Sequence, residues 1–163
     1  MNPLYAAQHG SELWLRPEGK GTFQSSPAIQ EVATAALKCE VNGVTIDLST
    51  TQGMDSTFMG MLAGLAKVAR KKGGRIRIVG AKGQNEASLE ELGLDVLLEI
   101  SESNPDDLEL RREELALVDT EAMGPGQEDH ILECHENLCE ADGRNKKTFK
   151  AVLEVLRQSA ATT

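Results

Sequence analysis

Three short runs of alternating apolar residues, separated by two runs of helical periodicity, limit the folds open to this chain. The first is ELWLRP (12–17), in which Leu13 and Leu15 flank Trp14 before Pro17 ends the run. The second, NGVTIDLS (42–49), puts Val44, Ile46 and Leu48 on one face and Thr45, Asp47 and Ser49 on the other. The third, RIRIVG (75–80), sets Ile76 and Ile78 against Arg75 and Arg77. Between the first two, SSPAIQEVATAALK predicts a helix with Ser26 as N-cap and Pro27 at the first helical position. Its apolar face is Ile29, Val32, Ala33, Ala36 and Leu37. Between the second and third, Phe58, Met61, Leu62, Leu65, Val68 and Ala69 predict a helix from about Ser56 to Lys72, closed by Gly73 and Gly74. A short helix at EASLEELG (86–93) and a last strand at LDVLLEI (94–100) complete the alternation. LYAA (4–7) reads as a weaker leading strand and EGKG (18–21) as a turn. Such alternation predicts an α/β fold, a mostly parallel sheet with crossover helices.

Composition narrows the function classes. With 163 residues, 40 % of them hydrophobic, the chain can bury a core and holds one domain plus an appendage. The net charge of −9 and pI of about 4.9 argue against nucleic acid as a partner, since phosphate neutralisation needs clustered Lys and Arg. The basic group Lys67, Arg70, Lys71 and Lys72 falls in the last turns of a predicted helix, where cations complement the dipole. No run approaches the ~20 apolar residues that span a bilayer, and MNPLYAAQHGSE lacks the pattern of a signal peptide. Cys39, Cys134 and Cys139 are sparse and odd in number, which points to reduced thiols and a cytoplasmic protein.

Beyond residue 100 the character changes. Residues 101–124 hold eight acids against two bases and read as a solvated acidic linker with a helical piece at 106–117. The predicted organisation is thus a domain over 1–100, a linker over 101–124 and a helical extension over 125–163. In the extension, Ile131, His135, Leu138, Asp142, Asn145, Phe149, Val152 and Leu156 alternate steps of four and three. Three readings fit: one long helix that dimerises through 125–160, a helical hairpin turning at ADGRN, or an amphipathic tail folded onto its own domain. Gly143 weighs against the continuous helix by about 1 kcal/mol.

Sites for ordinary catalysis are thin. There is no nucleophile elbow, no His-Glu-x-x-His and no Walker loop, and GAKGQ (80–84) lacks dinucleotide spacing. His9, His130 and His135 lie away in sequence from the central motif. His130/Cys134 and His135/Cys139 are each spaced i, i+4, but one helix cannot turn all four onto one ion. No metal and no cofactor are expected, and the acidic linker lacks a calcium-loop pattern. What stands out is GMDSTFMGML (53–62), where Asp55, Ser56 and Thr57 precede an apolar helix. One of them suffices as a cap. The others sit at the carboxyl end of a strand, where α/β sheets place working groups, beside free N–H donors able to hold a phosphate.

The run VTIDLSTTQGMDSTFMGMLAGLAKVARKKGGRIRIVGAKGQNEASLEELGLDVLLEI resembles the STAS domain, the sulfate-transporter and anti-sigma-factor-antagonist family. The shared pattern is a strand with Asp47-Leu48, a loop, Met-Asp-Ser-Thr, an apolar helix, a Gly-Gly turn, an aliphatic strand and a helix ending LEELGL. The likeness extends back through ELWLRPEGKGTFQSSPAIQEV and covers about residues 1–100. It implies a regulatory binding module of bacteria rather than an enzyme. In the antagonist branch, the Ser after the Asp is phosphorylated by a kinase that is also an anti-sigma factor, and a PP2C-type phosphatase resets it. By position that residue is Ser56, with Thr57 as second choice. Asp55, Met54, Phe58, Met59, Thr22 and Ser25 are the residues placed to meet a partner, Met54, Phe58 and Met59 as an apolar rim. Phe58 stands where many members have Gly, and Thr22, Gln24 and Ser25 stand where an acidic residue is common. The runner-up is a constitutive scaffold that dimerises or recruits partners through its C-terminal helix, with Ser56 only a cap. A small-ligand site at the loop mouth is the third reading.

Overall fold

The computed structural model describes residues 3–39, 41–101, 116–118 and 127–161. The chain opens with a hairpin of β1 (Leu4–His9) and β2 (Glu12–Pro17), followed by the short β3 (Gly19–Gly21) and α1 (Ser26–Leu37). Next come β4 (Gly43–Asp47), β5 (Thr51–Met54), α2 (Ser56–Lys71), β6 (Arg75–Val79), α3 (Gln84–Glu91) and β7 (Glu99–Ser101). After them stand β8 (Ala116–Leu117), α4 (Gln127–Ala141), α5 (Arg144–Thr148) and α6 (Lys150–Ala161). β2, β4, β6 and β7 run parallel, β1 pairs antiparallel with both β2 and β8, and the sheet order is β7-β6-β4-β2-β1-β8. This is the α/β architecture that the alternation predicts.

The register explains the core. Leu15, Ile46, Ile78 and Ile100 lie in one row across four strands, and the first three are fully buried. Onto that face α1 brings Ile29, Ala33 and Leu37, and α2 brings Met61, Leu62, Leu65 and Ala69. Each of the Leu, Ile and Met side chains among them contributes about 1.5–3 kcal/mol on burial. The opposite face gathers Trp14 and Val79 with Tyr5 and Ala7, while Arg16 donates to Asp47 at 2.9 Å and Thr45 to Glu12 at 2.6 Å. Lys72 caps the C-terminal end of α1, its Nζ donating to the carbonyls of Leu37, Cys39 and Val41.

Four local expectations differ from the structure. EGKG is largely β3, paired in parallel with β5; glycine-rich runs this short carry no alternation, so only the tertiary pairing reveals the strand. The N-cap of α1 is Ser25, not Ser26. LDVLLEI begins as a single 3-10 turn over Leu94–Val96, because Leu94 and Leu98 face the core four residues apart while Val96 is 78 % exposed. The helical piece expected at 106–117 lies mostly outside the described residues, and its last two residues are strand β8 instead. Ser101, which ends β7, and residues 116–118 apart, so does the acidic linker.

The C-terminal region is a hairpin folded onto its own domain, which removes the long dimerising helix. α4 lies along α2, and α6 returns along α4. The chain turns at Asp142–Gly143, and Asn145, 3 % exposed, donates from Nδ2 to the carbonyls of Leu92 (3.1 Å) and Leu138 (2.8 Å). The two polar layers of the expected seam are therefore the turn itself. Close approach to α2 depends on Gly60 and Gly64, one helical turn apart. A Cβ at Gly60 would lie 2.1 Å from the Cys134 carbonyl oxygen, and one at Gly64 would lie 2.4 Å from Nδ2 of Asn137. Among the described residues no helix is long and apolar enough to cross a membrane, and no group of three or more His, Cys, Asp or Glu is placed to hold a metal ion.

Candidate functional site

The N-terminal turn of α2 is organised by Asp55. Its backbone is extended, with φ −89° and ψ 173°, as an N-cap requires. Oδ1 accepts from the N–H of Phe58 at 2.8 Å, and Oδ2 accepts from the N–H of Phe23 at 2.8 Å. Its own N–H donates to the Gly21 carbonyl at 2.8 Å. One carboxylate thus caps α2 and fastens the β3–α1 loop beside it. Removing it in Asp55→Ala strands two N–H groups, and the expected loss is about 1–2 kcal/mol in urea denaturation. An unchanged midpoint would contradict this role.

Because Asp55 takes the cap, the Ser56 hydroxyl is free for another partner. Ser56 is half-buried, and its Oγ lies 2.9 Å from Nε2 of His135 on α4. The tautomer follows from the other side of the ring. Nδ1 is 2.8 Å from the Ile131 carbonyl, which can only accept, so the neutral ring carries its proton on Nδ1. Nε2 is then the acceptor and Ser56 the donor. The ring is 3 % exposed and meets Phe149 edge-on, with centroids 5.1 Å apart.

A second pair repeats the arrangement. Ser26, fully buried, shares a 2.6 Å hydrogen bond with Nε2 of His130, and Sγ of Cys134 lies 3.5 Å from the same nitrogen. Burial is the main cause that lowers the His130 pKa below 6.5, against the opposing pull of Glu133 and Asp55. Burial also pushes the Cys134 thiol up to about 12, with Glu133 and Asp55 adding to the rise. The sign of the pH effect follows. If α4 lifts away, His130 regains its ordinary pKa and takes up a proton before the docked form does. Docking is therefore at full strength above the ordinary value and weakens as pH falls through it toward the lowered value. Amide protection over 127–141, corrected for intrinsic exchange, is expected to drop between about pH 7.5 and about pH 5.5. Constant protection would contradict the assignment.

The structure brings some of the sequence-derived residues together and sends others inward. Thr22 and Ser25 stand in the loop held by Asp55, where the Ser25 Oγ accepts from the Thr22 N–H at 2.9 Å. Met54 is half-buried at the end of β5, opposite Gly21. Phe58 and Met59 do not form a rim. Phe58 is fully buried and Met59 is 7 % exposed, because the helical period turns both into the core. The exposed aromatic beside Asp55 is Phe23. Thr57 is also turned inward, at 5 % exposure, which disfavours it as an acceptor. His135, set apart from the motif by sequence, touches it at Ser56, and His130 reaches Ser26 at the start of α1. Their only signal in the sequence is the i, i+4 pairing with Cys134 and Cys139, which marks two faces of one helix.

The sequence matches the family model described as the STAS domain over residues 4–106. Among curated proteins no sequence match is found. Among solved structures, the anti-sigma factor antagonist SpoIIAA in its unphosphorylated form superposes with a TM-score of 0.53 at 12 % identity, covering 63 % of this chain and 90 % of that one. SpoIIAA of Bacillus in its phosphorylated form gives 0.52 at 13 %, covering 63 % and 94 %. A provisional anti-sigma factor antagonist from Thermotoga maritima gives 0.58 at 18 %, covering 64 % and 90 %. At these identities the structural likeness establishes the fold.

Proposed function

This chain belongs to the STAS domain family, and on that footing we propose that it is a non-enzymatic regulatory module of the anti-sigma factor antagonist kind, switched by phosphorylation of Ser56. The observation that carries the reading is the division of labour at the start of α2. Asp55 supplies the cap, so the neighbouring hydroxyl is not consumed by the helix. The first turn of α2 offers backbone N–H groups and the positive end of the helix dipole to an added phosphate. SpoIIAA, which shares the fold, has been seen in both unphosphorylated and phosphorylated forms. In this reading the unmodified chain binds a kinase that is also an anti-sigma factor, and a PP2C-type phosphatase removes the phosphate. A phosphoserine adds about −1.5 to −2 charges next to the Asp55 carboxylate, which is enough to reverse binding without unfolding the domain. The test is binding to the kinase of the same cell. Ser56→Ala is expected to bind as the unmodified chain does and Ser56→Asp to bind at least about tenfold more weakly, the effect of roughly 1.4 kcal/mol. Equal binding of both variants would dispose of the switch.

A second reading, a constitutive scaffold, draws on α6, where Val152 and Val155 are 41 % and 66 % exposed one turn apart. Self-association through that face would appear in light scattering and vanish in a Val152→Glu, Val155→Glu chain. A monomer at all concentrations would remove it.

A further inference from the structure

Resting on the Ser56 reading, we propose that the C-terminal hairpin is a cover built into the chain, and that docking of α4 and modification of Ser56 exclude one another. Three observations converge on it. The hairpin meets the site itself, through His135 on Ser56 and His130 on Ser26. It is seated against α2 at Gly60, where an added Cβ would collide with the Cys134 backbone carbonyl, and passes Gly64 with the Asn137 side chain filling the space. It also lies outside the part of the chain that matches the family, residues 4–106.

The exclusion follows from the geometry. The 2.9 Å between Ser56 Oγ and His135 Nε2 holds a proton and nothing larger. A phosphoryl group on Oγ replaces the proton that Ser56 donates. If the phosphate points toward α4, it runs into a ring that is 3 % exposed and packed edge-on against Phe149, with no space between Oγ and Nε2 to take it. If Oγ rotates to solvent, Nε2 is left buried without a donor, a penalised state. Phosphate is accommodated once α4 has moved away, and while α4 is docked the Ser56 hydroxyl is held against it. The cover thus sets a threshold for modification: a partner must first draw the hairpin off α2.

Cys134 reports the state of the cover. It is fully buried in the docked form, whereas Cys39 is exposed and serves as internal reference. In the full chain carrying Ser56→Glu, iodoacetamide labelling of Cys134, mapped by mass spectrometry, is expected to rise about tenfold or more relative to Cys39, the population change from losing one buried hydrogen bond. The far-UV spectrum is expected to be retained, since an acid in the first turn suits the helix dipole. Cys134 as protected as in the unmodified chain would overturn the proposal. If Ser56→Glu does not fold, the converse variant decides. In Ser56→Cys, adding Gly60→Ala should speed labelling of the thiol at position 56 by a similar factor, and equal rates would overturn the cover. Neither labelling assay needs a kinase. A chain that releases Cys134 but never carries phosphate on Ser56 would refute the switch and keep the cover; the reverse would refute the cover alone.

Discussion

Phe58→Ala is expected to destabilise the domain by about 3–5 kcal/mol, the usual effect of emptying a buried aromatic site. Phe58 is fully buried, and its ring lies over Gly21: a Cβ there would be 3.0 Å from three of the ring carbons. The ring therefore wedges α2 against the end of β3, and through Asp55 the same junction holds the β3–α1 loop. Little can collapse into the space, because Gly21 has no side chain to offer. Set against a typical domain stability of about 5–15 kcal/mol, the loss is large enough to appear as a clear fall in the urea midpoint. A change under about 1 kcal/mol would mean that the ring is replaceable, contrary to its placement. The resemblance leads one to expect a glycine at this place, and the structure gives Phe58 a packing role there.

Gly60→Ala has the second large effect, and it should fall on the hairpin rather than the domain. Within α2 alone, alanine is better than glycine by about 1 kcal/mol. Toward α4 the added methyl meets the carbonyl oxygen and carbon of Cys134 at 2.1 and 2.5 Å. These are backbone atoms of a helix, so no rotamer change relieves the clash. The expected result is a folded domain with α4 displaced: unchanged or improved protection in 43–79, lost protection in 127–141, and Cys134 alkylated at a rate approaching that of Cys39. With its burial removed, the Cys134 thiol should also lose most of the upward shift that keeps it inert. Retained protection of Cys134 would contradict the seating of α4 on Gly60.

Much of this fold is readable from the residues. β2, β4 and β6 announce themselves because one face of each packs into the main apolar core, which imposes a period of two on Leu13/Leu15, Val44/Ile46 and Ile76/Ile78, while the other face buries the mixed set Trp14, Thr45 and Arg77. α2 is readable because its apolar spacing is dense and Gly73 and Gly74 close it. Residues 94–98 mislead because Leu94, Leu97 and Leu98 suit either a strand or a turn, and the choice depends on which of them the core admits. The site was half legible. Asp55 and Ser56 are adjacent and carry a capping signature, so their place at the head of α2 is local information. His135 is not: it lies 79 residues from Ser56, and it arrives there only because Gly60 and Gly64 leave a path for α4. The inward turn of Phe58 is legible, since it shares the helical spacing of Met61, Leu62 and Leu65, but the burial of Met59 and the exposure of Phe23 are not, because neither belongs to that spacing.

The central claim, that Ser56 is the acceptor of a switching phosphate, is tested most directly by phosphate incorporation. The full chain and its Ser56→Ala variant would each be incubated with ATP and the anti-sigma-type kinase of the same cell, and the modified residue mapped by mass spectrometry. The account expects one phosphate per chain, on Ser56, and none on the variant. Incorporation that is unchanged by Ser56→Ala would contradict it.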